Sequence, residues 1–287
     1  MKQTLLPFFC CLLIVSCQES SSDSSAYTDQ ASDMLHATAQ ISRPDFQAIL
    51  DSANVEGSIL IYDPASHKAY SNDFDWANTG FLPASTYKIV NSLIALETGV
   101  VENEETMFYW DGTPRRIKSW EADLSLRQAF LRSCVPCYQQ IARAVGHERM
   151  NQYLTQFKYG NMDVGPENID LFWLEGDSRI SQQGQIDFLQ NLYEEKLDVA
   201  ESSYAIMKKL MWLDETETET LYGKTGWSIR DGFNNGWFVG YIEKEGTPYY
   251  VATNVIPGEA FDMDDFASIR IKVSKSALSF LGLWQNR

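Results

Sequence analysis

Ser85 and Lys88 stand three residues apart in the stretch Leu82-Pro83-Ala84-Ser85-Thr86-Tyr87-Lys88-Ile89. A hydroxyl becomes a useful nucleophile only with a base in reach, and a lysine in an apolar pocket loses its proton readily enough to serve. Three-residue spacing puts both on one face of a helix. The surrounding residues predict that helix, starting at or just before Ser85. Pro83 suits a helix start, where its missing N–H costs nothing. Ile89, Leu93 and Leu96 recur at helical spacing, and Val90 and Ile94 widen the apolar stripe, so the helix should be buried. Taken alone, S-x-x-K also describes an ordinary helix with an N-terminal serine and one lysine.

Five further stretches carry polar groups where chemistry could use them. Ser133-Cys134-Val135 directly precedes a predicted helix. Tyr159-Gly160-Asn161 is a turn-forming triplet. Phe172-Trp173-Leu174-Glu175-Gly176 is an aromatic-apolar cluster in a loop. Lys224-Thr225-Gly226-Trp227 is expected to end a strand. Arg270 falls near the start of the last helix. Singly, each has a dull explanation in turns, core packing or surface charge. Only three histidines exist, His36, His67 and His147, and none sits in a ligand pattern. This argues against a metal site and against a Ser-His-Asp triad. The net charge of −16 argues against nucleic acid, which needs a basic surface.

The elements that must position these groups fall in a clear order. Residues 57–62 and 67–71 read as a strand hairpin about an Asp63-Pro64 turn. Helical patterns dominate from Leu124 to about Leu210. Strands return at 218–225, 236–244 and 249–256, with a Glu245-Gly246 turn between the last two. A final amphipathic helix runs from about Phe266 to Leu283. The expected fold class is α/β of the α+β type. An antiparallel sheet from both chain termini is flanked by helices, with an inserted helical subdomain at roughly 100–212. The 287 residues, 44% hydrophobic, suffice for one large domain.

The N-terminal end reads differently. Lys2 followed by the apolar run Leu5–Val15 has the form of a secretory signal. Its end, Ile14-Val15-Ser16-Cys17, resembles a bacterial lipoprotein cleavage box. The resemblance implies a signal peptide over 1–16, lipidation of Cys17 and an exported, membrane-anchored protein, periplasmic or on the outer membrane. Residues 17–40, rich in Ser, Asp, Ala and Thr, read as a flexible tether, and 41–287 as the folded domain.

In this order, S-x-x-K, S-x-V, Y-G-N, W-L-E-G and K-T-G resemble the signature of the penicillin-recognising serine enzymes. The S-x-V and Y-G-N forms are similar to the class D serine β-lactamases, the oxacillinases. Trp110-Asp111-Gly112, Val135-Pro136-Cys137-Tyr138-Gln139-Gln140 and Ile180-Ser181 extend the likeness over roughly residues 45–285.

The resemblance implies a β-lactamase/transpeptidase-like fold and hydrolysis of penicillin-type β-lactams through an acyl-enzyme on Ser85. It implies no bound cofactor, but a carbamate derived from carbon dioxide on Lys88 as the general base. Trp173 would offer it an indole N–H, with Val135 and Leu174 as apolar walls. Ser133 would relay a proton to the leaving nitrogen, and Lys224 would supply positive charge. The backbone N–H groups of Ser85 and Trp227 would form the oxyanion hole. Thr225 and Arg270 would hold the substrate carboxylate, unless Asp262, Asp264 or Asp265 occupies the arginine, and Gly226 would also belong to the substrate-binding group. Trp120 would line the entrance. A β-lactam receptor that is acylated without turnover is the alternative function, less favoured because such sensors are usually fused to membrane-spanning segments. Cys134 and Cys137 depart from the family pattern. The expectation is two small buried thiols, with a disulfide as the alternative.

Overall fold

The computed structural model describes residues 38–230 and 232–285. The signal, the lipidation site Cys17 and nearly all of the tether lie outside the described residues. Seven strands form one sheet in the order β1-β3-β2-β9-β8-β7-β6. They are β1 (Ala39–Ser42), β2 (Val55–Asp63), β3 (Lys68–Ser71), β6 (Trp212–Glu215), β7 (Glu219–Arg230), β8 (Phe233–Lys244) and β9 (Thr247–Pro257). A separate two-stranded ribbon pairs β4 (Met107–Phe108) with β5 (Leu124–Ser125).

The sheet thus joins strands from both ends of the described chain, with β2 pairing antiparallel to β9. It is not wholly antiparallel, because β1 runs parallel to β3. Between β3 and β6 come α2 (Phe74–Asn78), α3 (Lys88–Glu97), α4 (Leu126–Leu131), α5 (Val135–Val145), α6 (His147–Gln156), α7 (Gln182–Tyr193) and α8 (Glu201–Met211). Two further helices, α1 (Pro44–Ser52) and α9 (Phe266–Phe280), belong to the opposite face.

Strand alternation separates the two faces. Ile59, Ile61, Phe238, Val251 and Val255 pack with Phe46 and Leu50 of α1 and Val273, Ala277 and Leu278 of α9. Leu60, Trp237, Val239 and Ala252 point the other way, into a larger core shared with α3, α5, α7 and α8.

Candidate active site

Ser85 does not sit in an α-helix. Residues Ala84–Tyr87 form a 3-10 turn, and the α-helix begins at Lys88. The backbone N–H and the hydroxyl of Thr86 both donate to the Pro83 carbonyl, which tightens this turn. Ala84, just before the nucleophile candidate, has φ 51°. A side chain other than glycine in that region is strained, and such strain persists only where the surroundings enforce it. Here the Ala84 N–H is fixed by the Trp173 carbonyl at 2.8 Å. Two further groups grip the Leu82 carbonyl: the Trp237 indole N–H at 2.8 Å and the Asn235 amide at 3.0 Å.

Lys88 Nζ lies 3.0 Å from Ser85 Oγ and is wholly buried. It sits 5.0 Å from the centre of the Tyr138 ring. Burial, with the Lys224 ammonium adding to it, holds its pKa well below the usual lysine range. The Trp173 ring stacks on Tyr87 with centroids 5.5 Å apart. Its indole N–H is buried and without a partner. A buried donor left unpaired costs about 1–3 kcal/mol, so this one is a place built for an acceptor. Val135 and Leu174 are each partly buried, Val135 at the first position of α5 and Leu174 beside Trp173.

Ser133 occupies the corner between α4 and α5. Its φ of 51° is left-handed. Its N–H donates to the Phe130 carbonyl, and the next N–H, of Cys134, donates to Ala129. This is a Schellman closure of α4, with serine where glycine is usual. Ser133 Oγ accepts a hydrogen bond from Lys224 Nζ at 2.5 Å. Burial, then the Arg270 charge, lowers the Lys224 pKa to about 7. Trp120 ties its indole N–H to the Arg132 carbonyl at 2.9 Å, beside Ser133.

Lys224-Thr225-Gly226 does not end its strand. β7 continues to Arg230, pairing Thr225 with Phe238 and Trp227 with Gly236. The glycine answers a different need. A Cβ on Gly226 would lie 3.0 Å from the Pro83 carbonyl oxygen and 3.1 Å from the Thr86 methyl, so glycine lets β7 approach the Ser85 turn where a side chain would crowd it. β6 covers the other edge of β7 only as far as Tyr222. Beyond that the site straddles the strand. Lys224 and Gly226 belong to the Ser85 face, while Thr225 and Trp227 belong to the α9 face.

Arg270 is on that second face. A Cβ on Gly236 would meet its Cδ at 2.9 Å. None of the three nearby aspartates occupies it. Its guanidinium is buried and donates to the carbonyls of Gly226, Phe266 and Ala267. Three of its five N–H groups are therefore spent on backbone, leaving a carboxylate two. Burial lowers its pKa to about 10.

Sequence reasoning named three aspartates as competitors for Arg270 and missed both the backbone carbonyls that hold it and the Leu82 clamp from Asn235 and Trp237. It also placed two thiols where the structure has a bond. Cys134 and Cys137 form a disulfide, with Cα atoms 5.5 Å apart. Among the described residues, no ion pair neutralises Lys88, Lys224 or Arg270. No cluster of metal-ligating side chains occurs there either. The site is a serine hydroxyl beside a buried lysine whose charged form is disfavoured, with the buried cationic side chains Lys224 and Arg270 on the neighbouring strand and helix.

Comparison with known proteins agrees with this arrangement. The penicillin binding protein transpeptidase domain matches residues 46–274, and it is the class of protein that this fold and site define. The chain is 41% identical over 223 residues to the OXA-10 β-lactamase of Pseudomonas aeruginosa, covering 77% of this chain and 81% of that protein. A class D β-lactamase from Nostoc superposes with a TM-score of 0.79 at 42% identity, covering 83% of this chain and 99% of its own. The C-terminal domain of the Bacillus licheniformis BlaR penicillin receptor gives 0.80 at 26% identity, covering 87% and 99%. The chain belongs to the class D β-lactamase family.

Proposed function

We propose that this protein hydrolyses the β-lactam ring of penicillin-type antibiotics through an acyl-enzyme on Ser85. The observation that carries the reading is the 3.0 Å contact between Ser85 Oγ and a fully buried Lys88 whose charged form is disfavoured. The Ser85 oxygen forms the new bond to the lactam carbonyl carbon, and the C–N bond of the ring breaks. Lys88 would take the serine proton. Ser133, hydrogen-bonded to Lys224, would deliver a proton to the departing nitrogen. The backbone N–H groups of Ser85 and Trp227 would receive the developing oxyanion. The substrate carboxylate would be held by Thr225 and the two remaining Arg270 N–H groups, with Lys224 adding positive charge.

Addition of carbon dioxide to neutral Lys88 would give a carbamate, with one proton released. The surroundings fit such a group: the unpartnered Trp173 N–H would hold it, beside Val135 and Leu174. When present it supplies an anionic base for water attack on the acyl-enzyme. We also infer that Cys17 carries a lipid anchor. Metabolic labelling with an alkyne fatty acid should tag the protein, and Cys17→Ala should abolish the label.

The test of the main reading is intact-protein mass during reaction with excess benzylpenicillin and bicarbonate, with the antibiotic followed in parallel. Many equivalents consumed, with a transient adduct on Ser85, is the expected result. One equivalent retained would instead make this a penicillin receptor, as the BlaR likeness allows.

A further inference from the structure

We propose that the Cys134–Cys137 disulfide is a covalent clamp that positions Ser133 for its proton transfer, an inference that rests on the reading above. Cys134 holds two posts at once. It is the residue whose N–H completes the Schellman closure of α4, and it is the N-cap of α5. Its sulfur accepts from the Cys137 N–H at 3.3 Å, doing the work of a capping oxygen. The bond to Cys137 then closes the first turn of α5 onto the residue immediately after Ser133.

Ser133 is thereby pinned from both sides. On the α4 side, two backbone hydrogen bonds hold it, but in a left-handed conformation that a non-glycine residue adopts only under restraint. On the α5 side, the bond restrains the backbone that follows. Without it, relaxation of Ser133 toward ordinary φ values would swing Oγ away from Lys224 Nζ. Both sulfurs lie in the protein interior, Cys134 1% and Cys137 7% exposed, so the clamp sits within the packing around the site.

Tryptic mapping comes first. Cleavage after Arg132 and Arg143 releases one peptide carrying both cysteines, and it should be two hydrogen masses lighter than the dithiol and resist alkylation. Acylation and deacylation by benzylpenicillin are then timed separately in the wild type, in Cys134→Ser and in Cys134→Ser/Cys137→Ala. Serine is a preferred N-cap, so Cys134→Ser preserves capping while removing the bond.

The clamp predicts acylation slowed about tenfold or more in both variants, the scale of an ångström-level misplacement. Hydrolysis of the formed acyl-enzyme should change less than twofold, a split that general loosening would not produce. Unchanged acylation in folded variants, or free thiols in fully active protein, would overturn it. Should the variants not fold, wild type treated with dithiothreitol gives the same comparison. There the disulfide takes up two electrons and two protons, and dithiothreitol closes to its cyclic disulfide. A wild type that is acylated but never turns over would sink the hydrolase reading, while the acylation ratio would still report on the clamp.

Discussion

The two faces of the sheet are built to opposite rules. Toward α1 and α9 the packing is almost wholly apolar: Phe46, Leu50, Ile59, Phe238, Val255, Val273 and Leu278 interlock. Several polar groups there are paired, as Ser274 is with Thr253 and Arg270 with three carbonyls, while Ser279 Oγ of α9 has no hydrogen-bond partner. Toward α3 and α5, Lys88, Asn91 and Lys224 are buried without a carboxylate in contact. Both polar atoms of the Asn91 side chain and the Trp173 N–H have no partner. Unpaired burial of this kind is costly, and its concentration around Lys88 sets the candidate site apart from the mainly apolar face that stabilises the fold.

Replacing Lys88 by Met should break the contrast most sharply. Turnover should fall about 10³-fold or more, the scale of a lost general base. In buffer free of carbon dioxide, Tm at pH 7 should nevertheless rise by about 2 °C or more, because a buried amine is removed. The sign follows from linkage. The folded pKa lies below that of the unfolded chain, so between the two the unfolded state binds more protons, and wild-type stability climbs with pH. The Tm advantage of Lys88→Met should therefore shrink as pH approaches 10.5, the ordinary lysine value. A Tm that falls at pH 7 would place the amine's environment on the stabilising side.

Trp173→Phe removes the orphaned N–H and also shortens a fully buried ring, so Tm should fall. Without bicarbonate, deacylation by the folded variant should slow by about 10²-fold. Full turnover under those conditions would remove the indole from the account.

Arg270→Ala should raise KM about tenfold and lower kcat less, as expected for loss of anchoring. The reverse split would show that its ties to Gly226, Phe266 and Ala267 matter more than its charge. Leu278→Ala, on the apolar face, should have the smallest effect on turnover. It should cost about 2–5 kcal/mol of stability with kcat within twofold. A proportional loss of kcat would show that the two faces are not separable.

The chemistry-bearing residues were more legible than the framework that strains them. Ser85 and Lys88 announced themselves through helical spacing, and the structure brings their functional atoms into contact. The 3-10 geometry was hidden because it depends on the Pro83 and Trp173 carbonyls, one of them nearly ninety residues away in the chain. β1 left no signal, being a short edge strand with little buried surface. α1 has nine residues, too few for periodicity to stand out.

Lys-Thr-Gly read as a strand exit because glycine usually interrupts strands. The glycine instead makes room for the Pro83 carbonyl oxygen, and the strand runs on. The disulfide stood only as the alternative to two thiols, because helix geometry and the neighbouring serine make a bond between these positions look awkward. Cys134 is an N-cap with φ −59° and ψ 101°, outside the helical region, and that frees its sulfur to reach Cys137.

The most direct test of the central claim, that burial keeps Lys88 neutral and ready to take up carbon dioxide, is carbon-13 NMR of the protein in ¹³C-bicarbonate. The account predicts one protein-bound carbamate resonance, absent in Lys88→Met and weakened in Trp173→Phe. Penicillin turnover should rise in step with its intensity as bicarbonate is added. Full turnover in carbon-dioxide-free buffer, with no such resonance at any bicarbonate concentration, would contradict it.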